Sequence, residues 1–106
     1  MRNEKLIHTL GNCINHCNQC ADACLDEKDI KMMVSCIRNC GVCAEVCGSL
    51  NQLLATAFDD VDDLVRYCIK VCGICAEECE KHEARHCVDC AKACRKCISE
   101  CEAFLP

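Results

Sequence analysis

The cysteines of this chain repeat in one pattern, CxxxCxxCxxxC, which occurs four times within 106 residues. Its spacings average close to 3.5 residues, the period of a helix stripe that faces a partner helix. On a helix the four cysteines of a repeat share one face, whereas on a β-strand they would point to both faces. We therefore predict four helices whose cysteine stripes are Cys13, Cys17, Cys20 and Cys24; Cys36, Cys40, Cys43 and Cys47; Cys68, Cys72, Cys75 and Cys79; and Cys90, Cys94, Cys97 and Cys101, with Cys87 preceding the last stripe.

The segments between the stripes set the extent of these helices. The acidic link at residues 26–29 is short and is expected to cap the second helix. We predict helices over residues 3–25, 29–55, 59–82 and 84–104. Long helices joined by short links pack side by side in alternating directions. The predicted fold class is therefore all-α, a single domain over residues 1–106 that forms an antiparallel up-down four-helix bundle with a cysteine-lined core.

The alternating four- and three-residue spacing of each stripe can be continued to positions before its first cysteine and after its last. The residues at these positions differ between the two ends of the bundle. The end formed by the first and third links, which we call the mouth, gathers Met32, Met33, His82, His86 and Cys87. At the opposite end, which we call the far end, the inward positions are apolar and comprise Leu6, Leu10, Leu50, Leu54, Val61, Val65 and Phe104. The sequence thus predicts a tube lined with thiols that is closed at the far end and flanked by soft and borderline ligands at the mouth.

Composition and charge exclude several function classes. The 12 Lys and Arg residues against 17 Asp and Glu give a net charge of −5, with no basic patch for nucleic acid. No run of about 18 apolar residues is present that would cross a membrane. The first residues, MRNEKLIHTLGNC, do not have the pattern of a signal peptide. We therefore expect a cytoplasmic protein whose thiols stay reduced and serve metal or redox chemistry.

Thiolate ligands favour Cu(I), zinc or iron–sulfur clusters. Structural zinc sites typically use isolated CxxC pairs on turns, and ferredoxin motifs contain a Cys-Pro step that is absent here. A CxxxC pair on a helix presents two sulfurs to one soft ion, and the chain has eight such pairs. Many equivalent soft sites favour storage or buffering of Cu(I) over catalysis, so we do not expect an enzyme. An iron–sulfur electron-transfer protein and a zinc reservoir remain the alternatives.

Four inward CxxxCxxCxxxC stripes, with His and Met at one end, resemble the cytosolic copper storage proteins of bacteria over essentially the whole chain. The resemblance implies a Cu(I)-filled bundle core, uptake of copper at one end and a homotetramer. It also implies that all seventeen cysteines are ligands. The expected partners of such a protein are copper ions and a copper chaperone or apo copper enzyme that exchanges them.

Three residues beside the stripes are further candidate ligands. His82 lies three positions after Cys79, and His86 lies one position before Cys87. Met33 lies three positions before Cys36, and its thioether is a soft ligand like that of its neighbour Met32. We also predict that the first two helices contact other protomers, because they carry few charges.

Overall fold

The computed structural model of the chain describes residues 1–106 as four α-helices without strands, which confirms the all-α prediction. The helices are α1 (Glu4–Cys24), α2 (Val34–Leu54), α3 (Asp62–Cys79) and α4 (Arg85–Phe104). Each lies within its predicted span. None of them combines the length and the apolar character that crossing a bilayer requires.

The start of the second helix differs from the prediction. Residues Ile30–Met33 form a short 3-10 helix, and α2 begins only at Val34. The side chain of Asp29 makes no capping hydrogen bond, so the predicted cap is wrong. The amide of Met32 instead donates to the Asp29 carbonyl at 3.2 Å, and this bond closes a tight turn. The buried side chain of Met33 anchors that turn against the core.

Each helix packs against two neighbours: α1 and α3 both contact α2 and α4. The resulting bundle measures 45 × 19 × 18 Å. The sulfur atoms of Cys36 and Cys79 lie 3.6 Å apart and those of Cys47 and Cys68 lie 3.5 Å apart, so α2 and α3 run in opposite directions. The predicted four-helix bundle with a cysteine-rich interior is confirmed.

Two long-range hydrogen bonds show which links share an end. The Asn3 side chain donates to the Leu54 carbonyl at 3.5 Å, so the N-terminus adjoins the link between α2 and α3. The His86 ring and the Glu27 carboxylate are 3.1 Å apart, so the start of α4 adjoins the link between α1 and α2. The mouth and the far end therefore lie as predicted.

The far end is a dry apolar plug. Leu10, Leu50 and Val65 are completely buried, and Leu6, Leu54 and Val61 are at most 5% exposed. Phe104, the remaining predicted member, is only half-buried and packs against the edge of this cluster. Apolar side chains rather than thiols therefore close the tube at this end.

Replacement of Leu50 by alanine is expected to destabilise the bundle by about 2–5 kcal/mol, because it removes a buried side chain and leaves a cavity. Leu53 on the same helix is 36% exposed and provides the matched control. Urea unfolding of the reduced, metal-free protein measures both variants. Equal losses of stability in Leu50→Ala and Leu53→Ala would contradict the assignment of the plug.

The metal-free chain is expected to be helical, because the apolar plug and the flanks of the stripes are packed without a metal ion. Ile14, Ile37, Ile69 and Ile98 lie half-buried against the core, and reduced cysteine packs as a small apolar residue. Small zinc domains differ in drawing their folding free energy from the metal. Far-ultraviolet circular dichroism of reduced, metal-free protein tests this expectation, and a coil spectrum would refute it.

Candidate metal centre

All seventeen cysteines are completely buried and carry free thiols. Their burial follows from the local sequence, since spacings of 4, 3 and 4 residues keep each stripe on the inward face of its helix. The four stripes converge along the bundle axis and extend from the mouth to the apolar plug. The structure therefore brings together every cysteine that the sequence predicts as a ligand.

Sulfur atoms of different helices lie as close together as those within one CxxxC pair. Within a helix, the sulfurs of Cys20 and Cys24 are 4.0 Å apart. Across helices, the sulfurs of Cys43 and Cys72 are 3.5 Å apart, and the Cys40 and Cys75 sulfurs are 3.7 Å apart. The interior is narrow enough that the eight sequence pairs are not separate sites. A bound ion has sulfur ligands available from two to four helices.

Groups of four thiols recur along the tube. In one group, Cys17 of α1, Cys75 of α3, and Cys90 and Cys94 of α4 have all their sulfurs within 4.8 Å of one another. A second group, composed of Cys13, Cys47, Cys72 and Cys97, draws one thiol from each helix. Some cysteines belong to two groups, so a sulfur can bridge neighbouring ions. The arrangement is a continuous set of soft ligands rather than a few isolated sites.

His86 joins the thiols to the surface at the mouth. Its Nδ1 atom lies 3.4 Å from the Cys20 sulfur, 3.5 Å from the Cys87 sulfur and 4.0 Å from the Cys24 sulfur. These four residues form a group that can hold one metal ion. The side chain of His86 is 19% exposed, so the ring lies between solvent and the outermost thiols.

Glu27 fixes the orientation of the His86 ring. Its Oε2 atom is 3.1 Å from His86 Nε2, and a carboxylate can only accept a hydrogen bond. Nε2 therefore carries the proton, and in the neutral ring the Nδ1 lone pair faces the thiols. Carboxylates commonly orient metal-binding histidines in this way. Glu27 is not among the ligands predicted from the sequence, although it follows Cys24 by three residues and continues the spacing of the α1 stripe.

The other mouth residues line a cavity of about 510 Å³ between the first and third links. Met32, Met33 and His82 all contribute to its wall. Met33 is buried within the cysteine core, whereas Met32 is 65% exposed. His82 Nε2 pairs with Glu78 Oε2 at 2.9 Å, so this ring is held by a carboxylate and not by a thiol. The structure thus brings His86 into the thiol cluster and leaves His82 in the cavity outside it.

Two thiols near the mouth, Cys24 and Cys87, are protonated at neutral pH. Burial raises the pKa of Cys24 from 9.0 to about 11 and that of Cys87 to about 12. In both cases burial is the largest cause, because it disfavours the charged thiolate. Only the thiolate binds a metal ion, so metal binding must release protons from these groups.

A family model described as "Copper storage protein" matches residues 1–106, which is the whole length of the chain. The chain belongs to the copper storage protein family. No curated protein sequence matches it.

Solved structures of copper storage proteins share the fold and the sequence. The Cu(I)-bound copper storage protein BsCsp3 is 30% identical, with 100% of both chains covered and a TM-score of 0.94. A cytosolic copper storage protein from Streptomyces lividans, described with five coppers, is 34% identical over 95% of this chain and 92% of its own, with a TM-score of 0.90. Apo-Csp3 from Bacillus subtilis is 32% identical over 94% and 95% of the two chains, with a TM-score of 0.88. The resemblance inferred from the cysteine stripes is confirmed.

Proposed function

We propose that the protein stores and buffers many Cu(I) ions inside its helix bundle in the cytoplasm, with residues 1–106 acting as one storage domain. The observation that carries the proposal is the continuous column of seventeen buried, free thiols. Thiolates are soft ligands that select Cu(I). Membership of the copper storage protein family supports the same function, and one similar protein is described as cytosolic.

All seventeen cysteines are the proposed ligands, from Cys13 in α1 to Cys101 in α4. His86 is the proposed imidazole ligand, because its Nδ1 atom lies among three thiols. Met33 and His82 are proposed as weaker ligands that hold an ion during transfer through the mouth cavity, which both of them line. In this assignment a copper ion keeps at least one ligand while it passes from the mouth cavity to the buried thiols.

The proposed role is storage and not catalysis. A metal ion among the buried cysteines is enclosed by sulfur from several helices, and a catalytic metal instead keeps a coordination position open for substrate. The stored ions are exchanged with a copper chaperone or delivered to an apo copper enzyme that docks at the mouth. The protein assembles as a homotetramer, in which each bundle holds its own copper.

Metal competition tests the choice of Cu(I). Reduced protein is incubated without oxygen with equal excesses of Cu(I) and Zn²⁺, and in a separate sample with Fe²⁺ plus sulfide, and then the bound metals of each sample are measured. The proposal predicts a colourless, copper-loaded protein, because Cu(I) displaces the other metals from thiolates. A brown protein with visible absorption would support the iron–sulfur electron carrier. Retention of zinc against Cu(I) would support the zinc reservoir.

A further inference from the structure

One face of the bundle exposes apolar side chains that nothing in the chain covers. Val42 of α2 is 44% exposed, and Tyr67 and Ile74 of α3 are 50% and 45% exposed. Together with Asn39 and Val71, they line a shallow cleft of about 110 Å³ between the two helices. Successive positions of α3 in this set are separated by four and three residues, so the apolar side chains form a stripe along one face of the helix.

Four charged residues flank this apolar stripe. Arg38 and Glu45 lie on α2, each within one turn of Val42, and Lys70 and Glu77 lie on α3, each within one turn of Ile74. All four are exposed, and none is a member of the eight ion pairs within the chain. The face therefore carries two positive and two negative charges without partners.

The sulfur contacts of the core fix the level of these charges along the bundle. Cys36 pairs with Cys79 at 3.6 Å and Cys40 with Cys75 at 3.7 Å, so Arg38 and Glu77 stand at the same level. By the same reasoning, the Cys43–Cys72 and Cys47–Cys68 contacts, both at 3.5 Å, place Glu45 level with Lys70. The charges thus form an alternating square around the apolar stripe.

We propose that this α2–α3 face binds the same face of a second copy of the chain. An alternating square of charges is self-complementary when two copies meet around a two-fold axis. If α2 faces the partner's α3, Arg38 meets Glu77 and Glu45 meets Lys70. If α2 faces the partner's α2, Arg38 meets Glu45 and Lys70 meets Glu77. Both arrangements join opposite charges around a buried apolar centre, which is the usual anatomy of a protein interface.

The balance of charge favours a second copy over a partner of one sign. A basic or an acidic protein would meet two like charges on this face, and like charges in contact oppose association. The sequence predicts that the first two helices contact other protomers, but the exposed apolar stripe lies on α2 and α3. The outer face of α1 exposes no large apolar side chain between Glu4 and Cys24, whereas α3 exposes two despite its many charges. The inference rests on the proposed assembly and identifies one of its interfaces.

Charge reversal tests the proposed interface. The molecular mass of the reduced protein is measured by analytical ultracentrifugation over a range of concentrations, together with its copper capacity. Because a two-fold axis repeats each contact, Arg38→Glu is expected to weaken association through this face by at least about tenfold. Tyr67→Glu is expected to do the same. The control Lys92→Glu reverses an exposed, unpaired charge on α4 and is expected to have no effect.

Compensating variants separate pairing from a general effect of charge. Arg38→Glu with Glu77→Arg restores association if α2 faces the partner's α3, and Arg38→Glu with Glu45→Arg restores it if α2 faces the partner's α2. Restoration by one double variant supports the interface. A wild-type monomer at all concentrations, unchanged association in Arg38→Glu, or restoration by neither double variant overturns it. Copper capacity is expected to stay constant throughout, which shows that each variant keeps an intact bundle. A wild-type protein that binds few Cu(I) ions would count against the storage function and not against the interface.

Discussion

Replacement of His86 by alanine is expected to slow the uptake of Cu(I) by a factor on the order of ten to a hundred while leaving the number of bound ions nearly unchanged. The His86 ring lies between solvent and Cys20, Cys24 and Cys87, and Glu27 holds its Nδ1 atom towards these thiols. Without the ring, an incoming ion must lose its previous ligands before it reaches a buried sulfur. Stopped-flow transfer from a coloured Cu(I) chelator measures the rate.

The control for this variant is His8→Ala, which removes an exposed histidine from the first part of α1, away from the mouth. Its uptake rate is expected to equal that of the wild type. A variant in which alanine replaces Met32, Met33 and His82 as well as His86 should take up and release copper still more slowly. The reason is that the first three residues line the mouth cavity.

The far end provides the opposite test. Smaller residues at Leu6 and Leu54 should loosen the bundle without accelerating exchange, because the plug offers no ligand to a charged ion. Faster exchange in these far-end variants, combined with unchanged exchange in the mouth variants, would reverse the assigned direction of the tube.

Copper retention is expected to fall steeply as the pH is lowered. The raised pKa values of Cys24 and Cys87, about 11 and about 12, mean that each thiol is protonated in the metal-free protein and must lose a proton to bind Cu(I). If each bound ion displaces one proton, the apparent affinity for Cu(I) should fall about tenfold for each unit by which the pH is lowered, and each further displaced proton adds another factor of about ten. Competition with a chelator whose own protonation is known measures this slope, and a pH-sensitive dye counts the released protons.

The same pKa values give the direction in which Cys24 and Cys87 change the stability of the metal-free bundle with pH. A thiol whose pKa is raised on folding stabilises the bundle fully below the unfolded value of 9.0, and this contribution is lost as the pH rises through about 11 to 12. The metal-free protein should therefore unfold more easily at strongly alkaline pH, whereas copper retention improves as the pH rises towards this range. Copper retention independent of pH between about 6 and 8 would contradict protonated thiols as the ligands.

Much of the site could be predicted because the period of one residue type determines it. The 4-3-4 spacing places Cys36, Cys40, Cys43 and Cys47 on one face of a helix, and four such faces can be buried only against one another. The apolar plug was predictable for the same reason, because Leu50 and Val65 continue the stripes in register. The sequence pattern thus contained both the position and the chemistry of the core.

Features that depend on contacts between helices could not be predicted from the spacing of the cysteines. The sulfur of Cys43 lies closer to Cys72 than to its own helical neighbour Cys47, at 3.5 Å against 3.9 Å, and only the width of the bundle decides this. The role of Glu27 depends on the approach of the link between α1 and α2 to the start of α4. The apolar stripe of α3 was hidden because a count of charges along a helix does not show which face they occupy.

Titration of the reduced protein with Cu(I) under anaerobic conditions is the most direct test of whether the whole column of thiols fills with copper. The free Cu(I) concentration is followed with a coloured chelator until the protein competes no further. The chain has eight CxxxC pairs, and their sulfurs adjoin those of other helices, so we expect saturation at about eight ions per chain or more. Saturation at one to four ions per chain would contradict storage and would indicate a small number of defined metal sites.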